Sequence, residues 1–372
     1  MPDAAIGPNT APPRPRSLRN ASDLIAAGLV PPERRAEIDR VAARYAVAVT
    51  PDVAALIDRA DAADPIARQY VPDGRELETS PADRADPIGD ATHAPVKGIV
   101  HRYPDRALLM PLLHCPVYCR FCFRRERVGG DEGVLGEAEL EAALDYIRAH
   151  EEIWEVVVTG GDPFMLPAAR IAALVASLDE IPHVATIRFH SRVPVSDPGR
   201  VTEALVAALE AETPVWVAIH CNHARELSPA AAAACRKLNR AGIPLLGQSV
   251  LLAGVNDDAA TLEDLLRTMV KNRIKPYYLH HPDLAPGTGH FRIGIEAGQA
   301  LMGRLRGRVS GLCQPAYVLD IPGGYGKVPI GPTYLERDAG AGSRRVEDRY
   351  WVEDKYWVED PWGGRHAYPP EG

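Results

Sequence analysis

Along the middle of the chain, short runs rich in apolar residues alternate with longer stretches whose apolar residues recur at three-to-four spacing. The first pattern marks buried strands and the second amphipathic helices. In order they predict a helix over Leu135–His150, a strand over Ile153–Val158, a helix over Arg170–Leu178, a strand over Val184–Phe189 and a helix over 201–210. A strand at Val215–Ile219, a helix at Pro229–Ala241, a strand at Pro244–Gln248, a helix at 259–273 and a strand at Lys275–His280 follow. Repeated β-then-α units predict a parallel sheet with helices outside. Gly-rich and Arg-bearing residues gather at the carboxyl ends of these strands, as in Thr159-Gly160-Gly161-Asp162 and His190-Ser191-Arg192. Barrels and open α/β sheets place their sites there. The expected fold is therefore α/β, a partial (β/α) barrel open on one side.

The flanks read differently. Residues 1–19 are rich in Pro, Arg and small residues and read as a disordered lead-in. An N-terminal helical region is expected over 20–96. In it Ser22-Asp23 caps the run LIAAGL, Pro31-Pro32 opens a second helix, and the Asp- and Pro-rich 60–96 wraps as loops with short turns. The barrel is assigned to 97–309, with a strand before the first cysteines. A separate segment is assigned to 310–335 and a polar tail to 336–372. In that tail Val346-Glu-Asp, Val352-Glu-Asp and Val358-Glu-Asp recur, with Tyr350-Trp351 and Tyr356-Trp357 between them. An extended strand would put Trp and Tyr on opposite faces, leaving neither cleanly apolar. A mobile tail is expected, with a docking arm onto a neighbouring subunit as the alternative.

Composition narrows the class. A chain of 372 residues with 46% apolar and 25% charged residues is ordinary for a globular enzyme. A net charge of −8 gives no sign of a nucleic-acid surface. No apolar run is long enough to span a bilayer, and the N-terminus lacks the apolar core of a signal peptide. Three of the six cysteines share one loop and Cys221, Cys235 and Cys313 stand alone, which argues against a disulfide framework and for a reducing cytoplasm.

The candidate chemistry begins at Cys115-Pro-Val-Tyr-Cys119-Arg-Phe-Cys122. Packing gives no reason for three cysteines at this spacing, whereas one loop can wrap three thiolates around a common centre. Thiolates select zinc, copper(I) or an iron–sulfur cluster. Zinc would want a fourth protein ligand, and a [4Fe–4S] cluster held by three thiolates leaves one iron open. Gly160-Gly161-Asp162 is a tight turn or a backbone cradle for a ligand. Lys327, among Gly323, Gly324 and Gly326, is a solvated loop lysine or one that forms a Schiff base with pyridoxal phosphate (PLP). Arg102 and Arg106 suit a phosphate dianion, and Arg124 a carboxylate, if they are not plain surface charges. Asp283 and Asp320 are cap or turn residues, or a pair that would repel unless a cation lay between them.

Together these residues resemble the lysine 2,3-aminomutases, PLP-dependent radical S-adenosylmethionine (SAM) enzymes. The likeness runs from about Asn20 to Leu335. It is carried by HRYPDR (101–106), CPVYCRFCFRR (115–125), TGGD (159–162), SRVPV (191–195), GQSVLLAGVND (247–257), KPYYLHHPDL (275–284), GHFR (289–292) and LDIPGGYGKVPI (319–330). The resemblance implies a radical SAM partial barrel with a C-terminal segment bearing the PLP lysine. It implies that Cys115, Cys119 and Cys122 hold the cluster and that Lys327 is the aldimine lysine. Arg102 and Arg106 would take the PLP phosphate, with Tyr103 beside the cofactor. Gly160, Gly161, Asp162 and Gln248 would border SAM. Arg124 would bind the substrate α-carboxylate, and Asp283 with Asp320 the lysine side-chain ammonium.

The activity so implied is L-lysine 2,3-aminomutation, in which a 5′-deoxyadenosyl radical drives a PLP-assisted shift of nitrogen from C2 to C3. Aminomutation of another amino acid, or supply of (R)-β-lysine for elongation factor P, is the alternative. A flavodoxin- or ferredoxin-type electron donor is implied. The sequence departs from the family where a structural zinc would be built: no cysteine follows Cys313, and Asp258 stands at the position of the neighbour's cysteine. No structural zinc is expected, and a homodimer is expected in place of the family's tetramer. His280 replaces an aromatic hydroxyl residue near the cofactor.

Overall fold

The computed structural model describes residues 16–130, 133–337 and 356–368. Nine strands form one curled sheet in chain order: β1 Ile99–Tyr103, β2 Arg106–Leu112, β3 Glu155–Gly160, β4 Thr186–Ser191, β5 Val215–His220, β6 Leu245–Val250, β7 Ile274–His280, β8 Ala316–Asp320 and β9 Lys327–Pro329. Strands β2 to β8 run parallel, while β1 and β9 are antiparallel to their neighbours. Parallel neighbours need a crossover connection, and helices supply it.

Short helices α1 Ala21–Ala26, α2 Arg35–Arg44, α3 Pro51–Leu56 and α4 Pro65–Tyr70 precede the sheet. Then α5 Glu137–Arg148 follows β2, α6 Ala168–Asp179 follows β3, and α7 Val193–Ser196 with α8 Glu203–Ala207 follow β4. Helices α9 Pro229–Arg240, α10 Ala259–Lys271 and α11 Ile295–Leu305 follow β5, β6 and β7. Alternate strand residues such as Val156, Val158, Ile187, Phe189, Val217 and Leu245 are buried in a core shared with these helices. The intervening residues, Arg188, His190, Gln248 and His280 among them, belong to the opposite face. Period two separates packing from chemistry, and in β7 a register shift after Pro276 resets it so that Leu279 is buried in the core and His280 belongs to the other face.

The strands and helices expected from Leu135 to His280 are all present, shifted by a few residues at their ends. Several expectations need correction. Asn20, not Ser22-Asp23, caps α1, its side chain accepting from Asp23 N at 2.9 Å. Residues 1–15 of the expected lead-in lie outside the described residues, but Leu18 already bridges Val49. Helix α11 has no counterpart in the reading above, because Gly298 and Gly303 thin its apolar spacing. Gly298 is needed there, since a Cβ would fall 2.1 Å from the Tyr317 hydroxyl. The tail repeat lies largely outside the described residues (338–355 and 369–372). Its last unit is not loose: β10 Leu335–Arg337, β11 Tyr356–Glu359 and β12 Arg365–Tyr368 form a three-stranded antiparallel sheet. Among the described residues, no helix is long and apolar enough to cross a membrane.

Candidate active site

The three cysteines follow β2 and are free, as are Cys221, Cys235 and Cys313. With Tyr45, Arg120 and Arg125 they line one cavity of about 40 Å³. Burial raises all three thiols, that of Cys122 to about 11. At Cys119 the Arg192 guanidinium offsets part of this, Nη1 donating to Sγ at 2.9 Å. Among the described residues no three His, Cys, Asp or Glu side chains converge as on a single metal ion. A cubane cluster makes a different demand, taking each thiolate on a separate iron. Three soft thiol donors lining one small cavity, one of them already hydrogen-bonded by a cation, fit such a cluster.

The loop is bolted down from behind. Glu76, fully buried, accepts from Arg120 Nε at 3.0 Å and Nη2 at 2.6 Å, and from Arg125 Nη2. Glu226 accepts from Arg192 Nη2 at 2.6 Å and from the Tyr70 hydroxyl at 2.8 Å. Glu76 of the N-terminal region thereby fixes the cysteine loop, and Glu226, itself held by Tyr70, fixes the arginine that touches Cys119.

Gly160 and Gly161 crowd the same loop: a Cβ would lie 2.7 Å from Leu112 O at the first and 2.3 Å from His114 O at the second. Asp162, read as a SAM neighbour, has its carboxylate committed within the protein. It accepts from the Ser191 hydroxyl (2.8 Å), Arg192 N (2.7 Å), Val193 N (3.0 Å) and Phe164 N (3.1 Å). Its carboxylate fastens the end of β4 to the end of β3.

A second group assembles at the carboxyl ends of β6, β7 and β8. Asp320 ends β8 and pairs in register with Lys327, the first residue of β9. Lys327 Nζ forms an ion pair with Asp320 Oδ2 and lies 3.3 Å from His280 Nδ1. His280 Nε2 lies 3.0 Å from Gln248 Nε2, so Gln248 and the lysine are joined through one imidazole. Burial works to raise the Asp320 carboxyl, but His280 and the Lys327 ammonium outweigh it and hold it well below the usual carboxylate range. Asp283 is raised to about 7, first by burial and then by the charge of Asp320. Burial also lowers His190 and His220, keeping both imidazoles neutral, and each has a buried Nε2 without a protein partner.

The turn before Lys327 places Gly323, Gly324 and Gly326 at φ of 92°, 90° and 95°, a region that favours glycine. The turn lies against β1: Lys327 N donates to the Tyr103 hydroxyl at 2.7 Å, and a Cβ on Gly326 would meet that oxygen at 3.2 Å. Arg106 stacks on the Tyr103 ring at 3.9 Å and pairs with Asp105 at 2.6 Å. Arg102 turns instead to Asp90 and Ile88 O, and Arg124 also pairs with Asp90. A lysine amine paired with one carboxylate, a glycine-lined turn and arginines nearby are a donor set suited to PLP.

Lys327, Asp320, His280 and Gln248 are thus one contact group, with Asp283 in the field of Asp320 and Lys327, and the cysteine loop with Arg192 is another. Arg124, two residues past Cys122, has its charge felt at Asp283 and borders both. Residue-by-residue reading missed Asp90, Glu76, Glu226 and Arg192. Only Arg192 left a signal, its place at the end of a strand. Asp258, at the position where the family resemblance places a neighbour's zinc cysteine, caps α10 through Ala260 N and Thr261 N, both at 3.0 Å.

Two family models match the chain, the radical SAM superfamily over residues 110–266 and lysine-2,3-aminomutase over 302–344. An L-lysine 2,3-aminomutase of Acetoanaerobium sticklandii is 40% identical over 304 residues, covering 82% of this chain and 73% of its own. One from Clostridium subterminale is 41% identical over 289 residues, 78% and 70% of the two chains. A glutamate 2,3-aminomutase of Clostridioides difficile is 37% identical over 298 residues, 80% and 70% of the two.

Proposed function

The chain belongs to the lysine 2,3-aminomutase family of radical SAM enzymes, and on that premise we propose that it interconverts L-lysine and β-lysine. The observation that supports the choice of lysine is that Asp283 lies where the charge of Asp320 raises its carboxyl, with Asp320 itself paired to Lys327. When bound, the [4Fe–4S] cluster and SAM supply a 5′-deoxyadenosyl radical, and PLP supplies the carbonyl that carries the migrating nitrogen.

The chain's own residues bind and orient. Asp320 offers a permanent negative charge, and Asp283 a second that ionises when a cation comes between them. A side-chain ammonium satisfies both, whereas a glutamate side chain would meet repulsion from each. Arg124 takes the α-carboxylate at the other end, so the substrate is fixed at two points and its C2 and C3 are held in one place. Lys327 is the amine that anchors the PLP aldehyde, Tyr103 fixes its backbone, and Arg102 and Arg106 serve the phosphate. Cys115, Cys119 and Cys122 hold the cluster, with Gly160, Gly161 and Gln248 bordering SAM. Asp162 acts there through the β4 loop.

Asp320→Asn lowers kcat/KM for lysine by about 100-fold, the effect of removing one partner from a desolvated charge pair. Lysine turnover untouched by that change would overturn the choice of substrate. An oxygen-sensitive cluster and six free cysteines suit a reducing cytoplasm and a flavodoxin- or ferredoxin-type donor. A homodimer is the assembly we read, and light scattering tests it.

A further inference from the structure

One short segment, Asp86–His93, touches Arg102 of β1, Arg124 and the glycine turn before Lys327, and no motif points to it. It folds on itself through Asp86, whose carboxylate accepts from Asp90 N at 2.9 Å and Ala91 N at 2.8 Å. Gly89, at φ 68°, lies against the glycine turn before Lys327, where a Cβ would fall 2.5 Å from Gly324 N. His93 Nε2 lies 3.0 Å from Gly324 O. Ile88 O accepts from Arg102 Nη2 at 2.7 Å.

Asp90 sits at the middle of this segment, 2% exposed. Its Oδ1 accepts from Arg102 Nη2 at 3.0 Å, and its Oδ2 accepts from Arg124 Nε at 2.8 Å and lies 2.8 Å from Arg124 Nη2. A guanidinium presents its donors in a rigid planar fork. With the Nε side taken by Asp90, the terminal Nη1–Nη2 edge of Arg124 is the one left for a second carboxylate. One buried carboxylate also keeps two guanidinium groups together that would otherwise repel.

We propose that Asp90 is the positioning residue of the α-carboxylate subsite, fixing the orientation of Arg124 and its separation from the phosphate-binding Arg102. The inference rests on the reading of Arg124 as the carboxylate ligand. It makes selection of an α-amino acid over a plain amine depend on a residue that touches neither substrate nor cofactor.

The test uses the full chain loaded with PLP, without SAM or reductant, and follows the cofactor's visible band as ligand is added. Lysine and 1,5-diaminopentane, which keeps both amines and lacks the carboxylate, are titrated in parallel. In Asp90→Asn the dissociation constant for lysine rises about tenfold, a loss of ~1.4 kcal/mol, while that for the diamine stays unchanged. Asp90→Glu, which retains the carboxylate, recovers part of the lysine affinity. Equal weakening of both ligands would mean that Asp90 only supports the pocket, and unchanged lysine affinity would mean that it does not orient Arg124. Either result overturns the proposal. Arg124→Gln serves as the control. If it spares lysine binding, the assignment of Arg124 fails and the inference with it. If it weakens lysine alone while Asp90→Asn does not, the error lies with Asp90.

Discussion

Lys327 illustrates how local chemistry is set by a few neighbours. Its amine is held by Asp320 and His280, and its backbone by Tyr103. Replacing it with alanine removes the amine that can condense with an aldehyde. Lys327→Ala protein mixed with PLP and desalted should show no visible band, and a retained band would place the attachment elsewhere. Asp283 supplies a pH test. Its carboxyl, raised to about 7 by burial and by Asp320, is mostly neutral below that pH and ionised above. The lysine ammonium keeps its charge across this range, so KM for lysine should fall as pH rises from about 6 to 8. Asp283→Asn should flatten that slope; an unaltered slope would assign the titration to another group. The same shift bears on folding. The folded chain holds this proton more tightly than the unfolded one, so the stability it contributes is present at low pH. That contribution is lost as pH climbs from the ordinary carboxylate range through about 7.

At the scale of elements, the cysteine loop has no regular structure of its own and is positioned by ion pairs from the N-terminal region. Glu76 neutralises Arg120 and Arg125, whose side chains are 2% and 4% exposed. Glu76→Ala would leave two buried guanidinium groups without their anion, a cost of about 3–5 kcal/mol. Chemical denaturation measures it, and a loss under 1 kcal/mol would show that water reaches the pair. The cysteine spacing points to the loop's proposed ligands, but nothing near Cys115 points to Glu76. The reason is separation: the carboxylate lies 44 residues before Arg120 in the chain, and an isolated Glu carries no pattern. Asp162 shows the converse. Its motif was legible, yet its carboxylate is spent on fastening β4.

Across the whole molecule, the sheet curls until its two edge strands nearly meet. Among the described residues, strand β9 pairs only with β8, and β1 only with β2, but the Tyr103 hydroxyl of β1 accepts from Lys327 N of β9. The residues proposed to hold PLP lie on both sides of this seam, Arg102 and Arg106 on β1 and β2 and Lys327 on β9. PLP should therefore clasp the ends of the sheet. At a concentration 100 times its Kd, binding should add ~2.7 kcal/mol to stability. The thermal midpoint should rise on adding PLP, and rise less in Tyr103→Phe and in Lys327→Ala. A midpoint indifferent to bound PLP would show that the cofactor does not bridge the seam.

Sequence alone determined the alternation of strands and helices, the parallel sheet and the thiol loop, because each is written in local periodicity or spacing. It also singled out Lys327 as a candidate, since a run of glycines around a lysine is a local pattern. Tertiary structure decided which charges meet. Arg102 and Arg124 share Asp90, Gln248 reaches Lys327 through His280, and β1 closes on β9 through one hydroxyl. Such contacts join residues up to 224 positions apart, and their strength comes from exclusion of water, which exists only once the chain has folded.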